Sequence, residues 1–413
     1  MIKKIKKCRS CGSKKLIGLL KLGNQYLTGI FPSSKKTKIT YGPLEISKCN
    51  SGTECNLVQL SHEYNFNELY GKNYGYRSGL NKSMSDHLKS KTKYVINKYS
   101  FLNKEPLIVD IGSNDATTLK SYPKNKYKLF GFDPTAKKFK KYYPKYIKYC
   151  SDFFSFKKFV RIFKKRRAEI ITSFSMFYDL ERPIEFMRDI YNTLSTDGIW
   201  IFEQSYLPSM IKTMSFDTIC QEHLEYYTLH QVRYMCDASN FKIIDIEFNN
   251  INGGSFCVTV AKKNSKYKEK IKLINKIINN EQKNGYIDGS VWKKFNLKID
   301  KVSKNILNFF KKSEKNNKKI MGLGASTKGN VLLQFLKLNE KNIIKIGDVN
   351  TDKHGKFTPG TNIPIVSEQE VLKNNADYYF VLPWHFKSFF LNSKQFKNKK
   401  LVFPLPNLQI INN

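Results

Sequence analysis

Four of the eight cysteines, Cys8, Cys11, Cys49 and Cys55, fall within the first 55 residues. Cys8-Arg9-Ser10-Cys11-Gly12 is a CxxCG knuckle whose glycine lets backbone amides turn toward the thiolates. Cys49 and Cys55 follow after 37 intervening residues, separated by five (Asn50 to Glu54) where two to four are usual. Disulfides are disfavoured in a reducing cytosol, so clustered thiols point to a metal. Two such pairs form the usual closed tetrahedral structural zinc site. Cys150, Cys220, Cys236 and Cys257 stand singly and read as core residues.

A second concentration is Val109-Asp110-Ile111-Gly112-Ser113-Asn114-Asp115, with Asp133 placed 23 residues beyond Asp110. An acid at the end of the second strand of such a unit can accept both ribose hydroxyls of an adenosine. GxGxxG is missing: the turn has one glycine and carries acidic side chains, which would repel a pyrophosphate. They suit S-adenosylmethionine (SAM), which has a sulfonium, an amino group and no phosphate. The expected contacts are Asp110, Gly112, Asn114, Asp133, Pro134 and, after a third strand, Ser173. A third concentration is Asp217-Thr218-Ile219-Cys220-Gln221-Glu222-His223-Leu224-Glu225-Tyr226-Tyr227. A histidine beside a carboxylate has the makings of an oriented general base. Tyr74-Gly75-Tyr76-Arg77-Ser78 offers aromatics and hydroxyls. A GASTKGN loop with Lys328 and Asn330 suits a nucleotide diphosphate, through amides at a helix start and one lysine.

These groups need elements to hold them. Pro106 opens the apolar run Leu107 to Gly112, a buried strand ending in a glycine turn. Tyr127 to Asp133, Glu169 to Ser173 and Gly198 to Glu203 have the same form, with helical segments such as Pro183 to Leu194 between them. Strands alternating with helices mean a parallel, doubly wound α/β sheet. Late antiparallel strands are expected at Phe241 to Phe248 and Ser255 to Lys262. At Lys319 a new α/β pattern starts. The expected division is a zinc-binding module (1–66), a helical connector (67–105), a Rossmann-like domain (106–262), a helical linker (263–318) and a smaller Rossmann-like domain (319–413).

With 413 residues and 40% hydrophobic content the chain can bury several cores, so wholesale disorder is excluded. No stretch approaches the ~20 apolar residues of a membrane span, and MIKKIKKCRSCGSKK has lysines but neither an apolar run nor a cleavage site. A soluble, cytoplasmic protein that touches no membrane is the expectation. The net charge of +38 invites nucleic-acid binding, yet only 8 of the 72 basic residues are arginine and the lysines run from end to end. Arginine is the residue that reads bases and grips phosphate bidentately. A solvated lysine surface, without a nucleic-acid partner, is the better reading.

Taken in order, nine segments carry a resemblance: CxxCG, CNLVQL at Cys55, YGYRS at Tyr74, VDIGSNDATTL at Val109, GFDP at Gly131, EQSYLPSM at Glu203, TICQEHLEYYTL at Thr218, GGSF at Gly253 and GLGASTKGNVLLQ at Gly322. Over essentially its full length the chain resembles the zinc-containing, SAM-dependent sugar C-methyltransferases of nucleotide-deoxysugar pathways. The resemblance implies zinc on Cys8, Cys11, Cys49 and Cys55, SAM in the central domain and a nucleotide-linked keto-sugar as substrate. It further implies that His223 removes the proton next to a 4-keto group, that Glu222 orients or tunes that imidazole, and that Tyr76 lines the substrate site near the enolate oxygen. Ser78, Asp179, Lys328 and Asn330 are the other expected substrate contacts. Two positions depart from the family. Met176-Phe177-Tyr178-Asp179 places an acid where members acting on antibiotic sugars carry a histidine, and Gln221 stands where histidine is usual. Methylation at oxygen or nitrogen of a related sugar or small acid is the enzymatic alternative, and a zinc-bearing nucleic-acid-binding protein the alternative of another class.

Overall fold

A computed structural model of the chain describes residues 2–52, 55–70, 76–101 and 103–413. Tyr74 and Gly75 of the YGYRS segment, and Glu54 of the second cysteine loop, lie outside the described residues.

The N-terminal module is an antiparallel sheet built from β1 (Leu16–Tyr26), β2 (Tyr41–Cys49) and β3 (Val58–Leu60). Its fourth strand is Glu225–Tyr226, contributed from far along the chain and paired to β3. The sheet therefore ends on the segment that carries the candidate base.

The central domain begins with α1 (Lys82–Lys98), capped by the Asn81 side chain, which accepts from the amides of Ser83 and Met84. Met84, Leu88, Lys91 and Val95 recur every three or four residues on its buried face. There follow β4 (Leu107–Ile111), β5 (Lys128–Phe132), β6 (Ile147–Cys150), α2 (Phe156–Phe163), β7 (Ala168–Phe174), α3 (Pro183–Thr193), β8 (Leu194–Ser205), α4 (Leu229–Ala238), β9 (Phe241–Asn249) and β10 (Ser255–Lys262). The sheet order is β9-β10-β8-β7-β4-β5-β6, parallel except for β10, which runs antiparallel to both of its neighbours. Every residue of β4 is buried, as expected of a strand covered on both faces. One face packs α1 over Ile108, Ile201, Ile244 and Cys257. The other holds an aromatic wall of Phe177, Trp200, Phe202 and Phe241. The connections diverge between β4 and β7, and in open α/β sheets the crevice at such a switch point is where ligands sit.

The helical pair is α5 (Ile271–Lys283) and α6 (Val291–Lys315). α6 turns Trp292, Phe295, Ile299, Val302, Ile306 and Phe310 inward at helical spacing, and Asn296 Nδ2 donates to the Leu19 carbonyl at 2.9 Å. Its lysines face solvent while its apolar stripe joins the zinc module to the C-terminal domain in one core. That domain comprises β11 (Ile320–Leu323), α7 (Thr327–Phe335), β12 (Ile346–Asp348), β13 (Ile365–Ser367), β14 (Tyr378–Val381), β15 (Lys400–Phe403) and β16 (Gln409–Asn412). Its order is β13-β12-β11-β14-β15-β16, parallel but for the last strand, so its own switch point lies between β11 and β14. The half-exposed edge strand β16 was not expected from sequence. No helix among the described residues is long and apolar enough to cross a membrane.

Candidate active site

The four cysteines converge. Cys8 Sγ lies 3.7 Å from Cys55 Sγ and Cys11 Sγ 3.5 Å from Cys49 Sγ, and all four sulfurs fall within 4.8 Å of one another. Zinc–sulfur bonds of ~2.3 Å in a tetrahedron put sulfurs about 3.8 Å apart, so the set fits zinc. The first knuckle is shaped by Gly12 at φ +74°, whose amide donates to the Cys8 carbonyl at 2.9 Å. In the second, Gly52 at φ +78° and Asn56 at φ +46° turn the longer loop back to the metal position. The intervening Arg9 is bound to the sheet through its amide to Gln59 Oε1 (3.0 Å) and Nη1 to the Leu60 carbonyl (2.6 Å).

The second cluster sits at the carboxyl ends of β4 and β5. Gly112 takes φ +76°, and a Cβ there would come 3.1 Å from Met176 Cγ, so the turn excludes a side chain. Asp133 accepts from the amides of Asn114 (2.8 Å) and Thr135 (2.6 Å) and from Thr135 Oγ1 (2.5 Å). A carboxylate has about four lone-pair sites, so Asp133, with three donors already on it, keeps capacity for one hydroxyl of a ribose. Thr172 Oγ1 donates to Asp110 Oδ1 at 2.5 Å, and burial pushes that carboxyl up to about 7. Ser173 is turned the other way: wholly buried, its hydroxyl accepts from Trp200 Nε1 at 2.8 Å. With a side-chain period of two, Thr172 and Ser173 face opposite sides of the sheet, and both are buried. Pro134 follows Asp133 and accepts from Ser151 Oγ through its carbonyl.

Tyr76 and Ser78, expected at the substrate, lie against the turn after β4. The Ser78 amide donates to Asn114 Oδ1 at 3.0 Å, the Gly79 amide to Asp115 Oδ2 at 3.1 Å, and Asn114 Nδ2 to the Tyr76 carbonyl at 3.3 Å. Arg77 stacks on the Tyr142 ring at 4.4 Å. Tyr76 as a residue is 46% exposed, but its phenol is turned in toward Ser78, and burial raises its pKa.

The third cluster, around His223, is assembled from all three domains. His223 Nδ1 lies 2.8 Å from the Thr218 carbonyl, and its ring rests on Tyr178 with centroids 4.3 Å apart. Burial, with a smaller contribution from the Lys328 charge, lowers its pKa to about 4. Glu222 does not supply the imidazole's Nδ1 partner. Its carboxyl turns to the zinc module, 3.5 Å from Thr28 Oγ1 and against Gly29, and burial pushes its pKa up. Gln221 is likewise committed to the module, accepting from Thr28 Oγ1 at 3.0 Å. Asp179 lies beside Glu222; its Oδ1 is buried without a partner, and burial, aided by the Glu222 charge, holds it well above the carboxylate range. Lys328 Nζ donates to the Asn252 carbonyl at 2.6 Å. Asn330 Nδ2 donates to the Thr28 carbonyl at 2.7 Å from a fully buried position, while its Oδ1 has no partner. His223, Tyr178, Thr218, Ser205, Glu225 and Tyr226 enclose a cavity of ≈ 10 Å³, room for about one water.

Several polar groups here were not singled out by sequence. Gln204 is fully buried with neither amide atom partnered, and both Glu225 oxygens are in the same state. Asp217 Oδ2 accepts from Trp384 Nε1 at 2.7 Å, leaving Oδ1 unpartnered. His87 Nε2 meets Glu203 Oε1 at 2.6 Å, with Asn249 on the second oxygen. Buried polar atoms without partners are uncommon in native proteins and mark places where water or a ligand completes the network.

Three family models match the chain: "Putative zinc binding domain" over residues 8–70, "Methyltransferase domain" over 84–246 and "C-methyltransferase C-terminal domain" over 250–406. The chain is 22% identical over 417 residues to C-methyltransferase NovU from Streptomyces niveus, covering 100% of this chain and 98% of that one. Among solved structures, it is 12% identical (TM-score 0.37) to a chain of the complex between the Haloferax volcanii Trm112 methyltransferase activator and a methyltransferase, covering 45% of this chain and 94% of that one. It is 9% identical (TM-score 0.33) to the CcbJ methyltransferase from Streptomyces caelestis, covering 42% and 89%.

Proposed function

We propose that this SAM-dependent C-methyltransferase, with its zinc-binding and C-terminal domains, forms a carbon–carbon bond on a nucleotide-linked keto-deoxysugar. The observation that carries the reading is the buried His223 imidazole, held by the Thr218 carbonyl and lodged where three domains meet.

A carbonyl can only accept, so His223 Nδ1 carries the proton and donates it to Thr218. Nε2 is then left as a lone pair, and burial keeps the ring neutral at physiological pH. A C–H next to a ketone is acidic enough for such a base to remove, whereas a plain C–H is not. The bound cofactor supplies a methyl group activated on a sulfonium. Asp110, Gly112, Asn114 and Asp133 would hold it, and the Tyr76–Gly79 segment lies on its turn. Asp179, with its unpartnered buried oxygen, stands ready to bind a sugar hydroxyl in place of the family's histidine. Glu222 acts as the join between the base loop and the zinc module. The amides opening α7, capped by Ser326, would bind the diphosphate of such a substrate.

The test is carbon-bound deuterium. A 4-keto nucleotide sugar labelled next to the ketone should lose its label to solvent in the presence of the enzyme. The product should carry a methyl on a ring carbon by NMR. A methyl joined through oxygen or nitrogen, with the label retained, would replace this reading by heteroatom methylation.

A further inference from the structure

The first turn of α7 sits on the loop that carries the base. It packs against the Phe216–Thr218 turn. Asn330 Nδ2 ties it to the Thr28 carbonyl of the zinc module (2.7 Å) and Lys328 Nζ to the Asn252 carbonyl (2.6 Å), while Trp384 Nε1, from elsewhere in the C-terminal domain, holds Asp217 of the turn (2.7 Å). A Cβ built on Gly29 would lie 2.0 Å from Glu222 Oε1 and 3.8 Å from Thr327 Oγ1, so the residue before Lys328 is a close neighbour of the residue before His223. On the far side, a Cβ on Gly253 would come 4.0 Å from Lys328 Nζ. The groups within electrostatic reach of this ammonium are Asp217, Cys220, His223 and His385.

We infer that Lys328 is the electrophile of the reaction, its ammonium donating to the keto oxygen of the acceptor while His223 takes the proton from the adjacent carbon. This assignment rests on the enolate reading above. Lys328 makes one hydrogen bond and no ion pair among the described residues, so two of its three N–H groups are free to donate. They are held in a partly buried place beside the base, where a charge acts strongly on a developing oxyanion. Tyr76 is placed differently: its carbonyl is tied to Asn114 on the turn after β4, and its phenol lies near Ser78 and Asp115 rather than near His223. The electron count closes. The C–H pair becomes the C=C of the enolate while the carbonyl π pair moves onto oxygen under Lys328, and the proton goes to His223 Nε2. On transfer, the C=O reforms, the C=C pair makes the new bond to the methyl, and the sulfonium leaves as a thioether. Lys328 keeps its proton throughout.

The experiment compares wild type with K328M and K328R on thymidine diphosphate 4-keto-6-deoxyglucose in deuterated solvent. Lys328→Met should slow exchange of the proton next to the ketone by about 10²–10³-fold, with KM nearly unchanged and S-adenosylhomocysteine binding intact. Lys328→Arg, which keeps the charge and guards against a folding failure of the methionine variant, should recover some of the loss. Without substrate, the His223 imidazole pKa read by NMR should rise in Lys328→Met, because a facing cation has been removed. Exchange as fast in Lys328→Met as in wild type, with KM raised tenfold or more, would make Lys328 a diphosphate holder and overturn the proposal. So would a His223 pKa that does not move. A wild type that exchanges no proton removes the enolate reading itself, and this assignment with it.

Discussion

His223 donates its Nδ1 proton to the carbonyl of Thr218, five residues upstream, at 2.8 Å. One main-chain oxygen thereby fixes the tautomer, and it does so without a carboxylate. In a paired His–Asp arrangement the acid raises the basicity of the ring; a neutral carbonyl raises it much less, and burial lowers it.

The first prediction concerns pH. With a folded pKa of about 4 against an ordinary ~6.5, the acid limb of kcat/KM should fall near pH 4–5 rather than 6–7. The sign for stability follows. The unfolded chain binds the proton first as pH drops, so this contribution to stability is full above ~6.5 and is lost as pH falls toward about 4. His223→Ala should remove that contribution to the slope and cost roughly 10²–10⁴-fold in turnover, with SAM affinity barely changed. Calorimetry and a pH–rate series check both.

The metal comes second. Purified protein should hold about one zinc per chain, as a four-thiolate site requires. Cys8→Ser or Cys49→Ser should lose zinc and solubility rather than show a clean kinetic defect, since β3, which bonds the base loop, lies directly after Cys55. Folded, metal-free protein with four freely reactive thiols would contradict this.

For the cofactor, Asp133→Ala should weaken S-adenosylhomocysteine binding by roughly 1–3 kcal/mol, the scale of hydrogen bonds to a charged group. Some of that loss will come from the Asn114 and Thr135 amides, which lose their acceptor. Thr135→Val should separate the two effects, since it removes only a donor to the carboxylate. Titration calorimetry should also find no binding of NAD.

Asp110 gives the opposite pH signature to His223. Its pKa is raised by burial to about 7, so the folded chain holds a proton that the unfolded chain has released. Stability from this group is full below ~3.9 and declines as pH rises toward about 7. Asp110→Asn should raise Tm more at pH 8 than at pH 5, while SAM affinity reports any separate role. An equal change at both values would show that the carboxyl is ionised throughout.

What the sequence displays are the features with a local period or a short spacing. Leu107–Ile111 reads as a buried strand because each of its side chains is apolar or held by a partner, and the four cysteines announce a metal by count and spacing. The Glu222-His223 segment stands out by residue type. Pairs joined only by the fold leave no such trace: His87 with Glu203, or Trp384 with Asp217, sit on elements that meet through tertiary packing. The partners of neighbouring strand residues are equally hidden: Ser173 is bonded by Trp200, while Thr172, one step away, bonds Asp110. Glu222 was legible as important but not as a bridge, because the Thr28–Gly29 turn it touches carries no motif of its own.

The strand Glu225–Tyr226 closes the sheet of the zinc module, and the Leu60 amide donates to the Leu224 carbonyl at 2.8 Å beside it. Replacing the first 66 residues by those of a relative would therefore separate a pair of hydrogen-bonded strands, although the junction looks clean along the chain. A graft should succeed only when the cysteine module and the 217–227 loop travel together.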